Sequence, residues 1–408
     1  MTTSVQPPRT RERLKKILRL GAILAAVPVA LVVIILVGEV FFLGTARLSQ
    51  KRLLRQDLEE LSSAPPPASM NAPPEKPTSW ITVPVYYGTR RARTRASDIE
   101  HYYSDRDDTL KYGIATITIP ERRRPGKTDG RGWCRFLPGK LECPRTPSNS
   151  VLLSALKPRR PAAWLREVGV ALIDSNDKPV DALIFVHGYN NSFVDAITRA
   201  AQLSYDAGFP GVTFAYDWAS RDALPAYFID QETAERSAPD FSRFLRRIVD
   251  STQARRVAIV AHSMGTRLVL YALRDLEEGQ PLTKLDQIIL AASDVDSAIF
   301  MDQYAGRIVQ TAGLATIYAS KRDRALLISG PAHGAHRVGS GPPTLVLYDG
   351  LDYIDASTID TDLLGHGYYA ENKQLIDDIF LILRHGFPAS YRNLSRIGEG
   401  PLSYYRFR

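Results

Sequence analysis

The chain has 408 residues, of which 44% are hydrophobic, 24% charged and 9% aromatic, a globular composition that excludes disordered, collagenous and repeat architectures. A formal charge of +8 would suit a polyanion-binding surface only if it were spread over the folded part. Instead, residues 1–19 hold Arg9, Arg11, Arg13, Lys15, Lys16 and Arg19 against Glu12. The excess marks that first segment, and nucleic acid is not an expected partner.

Behind the basic tail, Leu20 to Gly38 carry no charge, and beyond Glu39 the apolar run Val40 to Leu43 continues. At roughly 1.5 Å per helical residue, such a stretch crosses a hydrocarbon core of about 30 Å. Pro28 would disturb a soluble helix but is tolerated in a transmembrane one. A cleaved signal peptide has an apolar region of only about 7–15 residues, and the small-residue site Gly44-Thr45-Ala46 follows a longer run. The expectation is an uncleaved transmembrane anchor over residues 20–43, with 1–19 as a cytoplasmic tail and the rest outside the cytoplasm. The alternative is a secreted protein cut after the apolar run.

Residues 44–79 read as a charged juxtamembrane helix followed by a spacer containing Ala64-Pro-Pro-Pro67 and Ala72-Pro-Pro74; proline at that density disfavours both helix and sheet. From residue 80 to 408 the pattern is that of one α/β domain. Short β-branched or aromatic runs predict strands at Ile81 to Tyr87, Ile114 to Ile119, Ala182 to Val186, Val212 to Tyr216, Val257 to Val260, Gln287 to Ala291, Ala315 to Ala319 and Thr344 to Tyr348. Between them, Phe241, Phe244, Leu245, Ile248 and Val249 mark one face of a helix, as do Ile376, Ile379, Phe380 and Leu383. Continuous apolar strands alternating with amphipathic helices imply a mainly parallel sheet with helices on both faces. The Arg/Pro-rich stretch 120–163 fits no element of this scheme.

Within that stretch Cys134 and Cys143 flank Pro138-Gly139, a pair that turns the chain. In an oxidising compartment they are expected to close a small disulfide loop, with two unpaired thiols as the alternative. No metal-ligand spacing of the CxxC kind is present.

The chemistry-bearing motif is Ala261-His262-Ser263-Met264-Gly265, between the strand Val257 to Val260 and the helix-like run Thr266 to Leu276. It has the form of a nucleophile elbow, G-x-S-x-G, with alanine in the first glycine place. A turn so tight needs small residues around the serine, which it holds above the carboxyl end of the sheet at a helix N-terminus. Upstream, Leu183-Ile-Phe-Val186 runs into His187-Gly-Tyr-Asn-Asn-Ser-Phe193. A loop in that position supplies one amide of an oxyanion hole and the residue after the nucleophile the other, here Tyr189 and Met264. His187 and His262 read as structural histidines rather than proton carriers.

A serine nucleophile needs a base within hydrogen-bond reach and a carboxylate to hold that base. After Ser263 come His333, His336, His366 and His385. His366, in Leu364-Gly-His-Gly-Tyr-Tyr369 ahead of the last amphipathic helix, is the expected base. His385 ends that helix, and His333 and His336 share a Gly/Pro-rich loop without further metal ligands. For the acid, Asp323 follows the strand Ala315 to Ala319 and is favoured; Asp294, in Ala292-Ser-Asp-Val-Asp296, is the reserve. Turn capping is the alternative role for each.

The segments Val83-Pro-Val-Tyr-Tyr-Gly-Thr-Arg90, Phe185-Val-His-Gly-Tyr-Asn-Asn-Ser-Phe193, Ala258-Ile-Val-Ala-His-Ser-Met-Gly265, Leu290-Ala-Ala-Ser-Asp-Val-Asp296 and Tyr318-Ala-Ser-Lys-Arg-Asp-Arg-Ala325, with Leu364 to Tyr369, resemble the α/β-hydrolase proteins of the esterase/lipase superfamily grouped as domain of unknown function 900. The resemblance implies an α/β-hydrolase fold with Ser263 as nucleophile, Asp323 as acid and His366 as base. Ala261 and Gly367 depart from the residues usual in that group. It also implies a bacterial inner-membrane protein facing the periplasm, and it names no substrate.

The expected function is therefore a membrane-anchored serine hydrolase cleaving a carboxylic ester or related acyl bond through an acyl-enzyme, with no metal or organic cofactor and an ester or lipid substrate. The alternative is a binding or envelope-assembly module on the same fold without turnover. Asp222 to Ile229 is a candidate part of a lid or acyl pocket, or ordinary loop packing.

Overall fold

The computed structural model describes residues 79–408 except 97, 122, 124, 126–134, 138–139, 143–145, 222–226, 278–284, 324–325, 327–334, 360–371 and 401. The expected anchor over 20–43, Cys134, Cys143, His333 and His366 all lie outside the described residues. Among the described residues no helix is long and apolar enough to cross a membrane.

In chain order the strands are β1 (Trp80–Arg93), β2 (Tyr103–Pro120), β3 (Arg135–Leu137), β4 (Lys140–Glu142), β5 (Leu152–Arg159), β6 (Ala182–Val186), β7 (Val212–Asp217), β8 (Val257–His262), β9 (Leu285–Ala291), β10 (Leu314–Ala319), β11 (Asp352–Asp355), β12 (Leu394–Ile397) and β13 (Tyr404–Phe407). Apart from the β3-β4 ribbon they form one sheet in the order β12-β13-β11-β10-β9-β8-β6-β7-β1-β2-β5. Every neighbouring pair from β1-β7 across to β11-β13 is parallel. The pairs β1-β2, β2-β5 and β12-β13 at the two ends are antiparallel.

Period-two alternation along the central strands feeds two cores, one on each face. Ile184 and Val186 of β6 join Ile259 and Ala261 of β8 on one side, while Leu183 and Phe185 join Ala258 and Val260 on the other. The first face is covered by α1 (Pro161–Ala171), α3 (Tyr227–Ser251) and α4 (Met264–Glu277), the second by α2 (Phe193–Asp206) and α5 (Lys373–His385). Phe241, Phe244, Leu245 and Ile248 of α3 are completely buried. At roughly 1.5–3 kcal/mol of transfer free energy each, they fix which side of that helix faces the sheet.

One predicted strand is not there. Thr344 to Tyr348 forms no ladder; Thr344 folds back in a turn to the Gly341 carbonyl, and Leu345, Leu347 and Tyr348 pack from the side against the first core. The place beside β10 belongs to β11, whose Asp-Tyr-Ile-Asp sequence offers too few apolar residues to stand out. The stretch that fitted no element contains β5, which extends the sheet through β2.

Candidate active site

Ser263 occupies the single step between β8 and α4, with a φ of 52°. That left-handed conformation is strained for any residue with a side chain. Backbone contacts hold it there: its N–H donates to the Ala291 carbonyl at 2.9 Å. Its own carbonyl accepts from the Thr266 N–H at 3.0 Å, the Thr266 hydroxyl at 2.6 Å and the Asp294 N–H at 3.4 Å. Gly265 lets the first turn of α4 rest on the end of β6, since a β-carbon there would stand 2.4 Å from the His187 carbonyl oxygen. Ala261, in the place usual for glycine, is an ordinary buried strand residue paired with Val186 and Leu290. Ser263 is only 2% exposed, and Met264 is buried beside it.

The loop after β6 meets this turn. A β-carbon on Gly188 would lie 2.9 Å from that of Ser263 and 2.8 Å from His262 Nδ1, so only glycine lets the chain pass. The residues after Gly188 hold the loop in that path. Asn190 takes a left-handed φ of 56°, and the Asn191 side-chain amide donates to the carbonyls of Gly188 and Tyr189 at 3.2 and 2.7 Å. Ser192 caps α2 in a capping box with Asp195, and Phe193 is buried in the second core.

His187 is structural, as expected. Its ring stacks on Trp218 at 5.1 Å, and Nδ1 lies 2.7 Å from the Gly188 carbonyl, which can only accept, so that nitrogen carries a hydrogen. Nε2 lies 3.0 Å from Asp217 Oδ1 and 3.2 Å from the Trp218 amide nitrogen. Asp217, fully buried at the end of β7, also receives Arg91 Nε at 2.9 and 3.0 Å and the Thr89 hydroxyl. Burial by itself would raise the Asp217 pKa, but the Arg91 charge and the His187 and Thr89 contacts outweigh it and hold the carboxyl at about 2. Arg91 further donates to the Asn191 carbonyl at 2.7 Å and the Ser220 carbonyl at 2.7 Å. Sequence reading missed this brace: Asp217 directly follows a predicted strand, but Arg91 lies four residues beyond the predicted end of another.

Asp323 is completely buried in the turn after β10, where its Oδ1 accepts from the Leu326 N–H at 3.1 Å. Asp294 sits nearer the serine in the chain of contacts, through its N–H, but its carboxylate is engaged by the Tyr227 hydroxyl on one oxygen and lies 3.3 Å from Arg337 Nε on the other. Tyr227 begins α3 and packs edge-on against Tyr189 at 5.4 Å. Tyr189 is half-buried; burial, with the Asp294 and Asp230 charges, raises its hydroxyl pKa, so it stays protonated at neutral pH. His336 lends its backbone carbonyl to Ser297, and His385 ends α5 against Phe387. Among the described residues no group of His, Cys, Asp or Glu converges as metal ligands would.

A cavity of about 760 Å³ opens at the carboxyl ends of β1 and β7, lined among others by Arg91, Ser104, Ser192, Phe193 and Ile229. It meets the His187 to Phe193 loop at Ser192 and Phe193, and neither Ser263, Asp294 nor Asp323 lines it.

A family model described as alpha/beta hydrolase of unknown function (DUF900) matches residues 162–384. Among solved structures, a predicted CIB-like hydrolase from Thermoplasma acidophilum is 18% identical, covering 52% of this chain and 88% of that one at a TM-score of 0.30. A hyperthermophilic esterase from the archaeon Pyrobaculum calidifontis is 11% identical, covering 50% and 74% at a TM-score of 0.29. Likenesses at that level add nothing to the family match.

Proposed function

The chain belongs to the alpha/beta hydrolase family of unknown function whose model matches residues 162–384, and from that premise we propose that it is a serine hydrolase acting on a carboxylic ester or related acyl bond. The observation that carries this reading is the left-handed Ser263 at the tight step from β8 to α4, with Gly188 laid against it. Strain of that kind, held by four backbone-directed hydrogen bonds, supports a site shaped for chemistry rather than for stability.

In the proposed mechanism His366 takes the proton of Ser263 as its oxygen attacks the substrate carbonyl. The amides of Tyr189 and Met264 stabilise the oxyanion, a term worth about 2.7–4 kcal/mol for each donor. Asp323, buried after β10, orients the imidazole and balances its charge. The leaving group departs with the proton from His366, and water then releases the acyl group by the same route. Asp294 is the weaker candidate for the acid because Tyr227 and Arg337 already face its carboxylate.

The same proposal places the enzyme on a membrane through residues 20–43, with the basic tail cytoplasmic and the hydrolase domain in the periplasm. Incubation of the full chain in detergent with a fluorophosphonate probe tests the chemistry: label on the wild type and none on Ser263→Ala is expected. Folded wild type that takes no label counts against a serine nucleophile and favours a binding module. Protease protection of the N-terminal tail in sealed inner-membrane vesicles tests the orientation.

A further inference from the structure

Among the described residues five Trp, Tyr and Phe side chains stand exposed, and four of them, Trp80, Tyr205, Phe387 and Tyr391, belong to one connected strip. Trp80 begins β1 opposite Pro120, which ends β2. Three residues on, Arg123 pairs with Asp206 and lies over the Tyr205 ring at 5.6 Å. Past Asp206, a β-carbon on Gly208 would meet the Phe380 ring at 3.4 Å. From Phe380 the rings of His385, Phe387 and Tyr391 follow at centroid separations of 5.6, 5.1 and 6.3 Å. Single exposed rings are ordinary, but a contiguous run of them marks a surface that something covers. Tyr391 is 75% exposed and Trp80 50%.

The strip follows the rim at the amino ends of the parallel strands. Ser204, beside Tyr205, accepts from the hydroxyl of Thr213, second in β7, at 2.6 Å. The Ile382 carbonyl accepts from Gln287 near the start of β9, and the Ala389 N–H donates to Asp352, first in β11. Ser263 lies past the other end of β8, whose six residues set the two rims about 20 Å apart. Because β1 runs parallel to β7, Trp80 is also the point at which chain arriving from the apolar segment 20–43 enters the domain, on this same rim. Trp and Tyr combine an apolar body with a polar tip and favour the boundary between hydrocarbon and headgroups. A tether entering here holds the strip at high effective concentration near a bilayer. We propose that this aromatic rim docks on the lipid surface, which turns the rim carrying Ser263 away from the membrane toward the aqueous side. The docking rests on the anchored reading of residues 20–43 and not on the identity of the nucleophile.

Tryptophan emission tests this. Full-length wild type, Trp80→Phe, Tyr391→Trp and Phe228→Trp are reconstituted in vesicles of phosphatidylethanolamine and phosphatidylglycerol, with or without bromine on the upper acyl carbons. Phe228, the fifth exposed ring, begins α3 beside Tyr227 on the catalytic rim and serves as the contrast. Brominated lipid is expected to quench the emission added at residue 391 and to spare that added at 228, while Trp80→Phe loses part of the quenching seen in the wild type. Quenching at 228 equal to or above that at 391, or quenching at neither, overturns the docking. So does emission at 391 that is blue-shifted yet unquenched, since a second copy or another protein surface then covers the strip. Should Tyr391→Trp misfold, the comparison of wild type with Trp80→Phe decides alone. Flotation before and after a carbonate wash separates the underlying reading. Chain that stays on the vesicles through carbonate without quenching at 391 keeps the anchor and loses the dock. Chain that carbonate strips, but whose residue 391 was quenched beforehand, loses the anchor and keeps the dock, and chain that never floats loses both.

Discussion

Gly188 and Ser263 touch so closely that a β-carbon on the first would stand 2.9 Å from that of the second. Gly188→Ala must therefore push the His187 to Phe193 loop away from the elbow, carrying the Tyr189 amide with it. The expected result is a fall in kcat on any accepted ester of at least about 10², against a folding cost of only about 1–3 kcal/mol for overpacking. Steady-state rates and urea midpoints on the same preparation check this. Folded Gly188→Ala with wild-type kcat would remove Tyr189 from the oxyanion hole.

Ser263 bears the strain of a left-handed backbone, so its replacements should rank in an unusual order. Ser263→Gly is expected to be more stable than Ser263→Ala by about 1 kcal/mol, because glycine adopts that conformation without penalty. At an ordinary site the order is reversed. Differential scanning calorimetry of the two inactive variants decides it.

Asp217 should make the fold acid-sensitive in a definite window. Its carboxyl is depressed to about 2 from an ordinary 3.8, so the stability it supplies is complete above the unfolded value and drains away as pH falls through the folded one. Nearly two units correspond to about 2 kcal/mol lost between about pH 4 and pH 2. Asp217→Asn should flatten that part of the stability curve, while costing about 3–5 kcal/mol near neutrality because buried Arg91 loses its partner. Urea titrations at stepped pH read both effects.

The two aspartates after β9 and β10 can be separated kinetically. Asp323→Asn is expected to lower kcat by about 10⁴ with little change in KM, as loss of the group that orients the base does. Asp294→Asn should act mainly on stability and KM, through Tyr227 and Arg337. Equal kcat losses in the two variants would undo the assignment of Asp323.

Where the sequence reading succeeded and where it failed follows the physics of each segment. Strands β6, β8 and β10 are buried on both faces, so apolar residues dominate them, with Thr316 the one break in β10 and His262 closing β8, and composition alone reveals them. The Ser263 and Gly188 motifs were legible for a related reason: steric crowding restricts them to small residues at fixed offsets. Strand β11 was missed because four residues ending in aspartates carry little apolar signal, and Thr344 to Tyr348 was mistaken for a strand because side-on packing produces the same alternation as a ladder. Strands β12 and β13 lie at an edge and are only partly buried. Arg337 and Asp217 could not be found from pattern at all, since what distinguishes a buried charge from a solvated one is the fold around it.

The brace from Arg91 to Asp217 and Asn191 has a practical corollary for anyone trimming this protein. The stretch matched by the family model begins at residue 162 and stops at 384, leaving out Thr89, Arg91 and the strands β1, β2, β5, β12 and β13. A fragment cut to that stretch would carry Asp217 into its interior stripped of its cation, and would bare β7 and β11 as raw edges with rows of unsatisfied amides. The loop that runs past Ser263 is thus anchored by chain lying outside the recognisable hydrolase segment, so an expression clone should start ahead of Trp80 and run through Phe407.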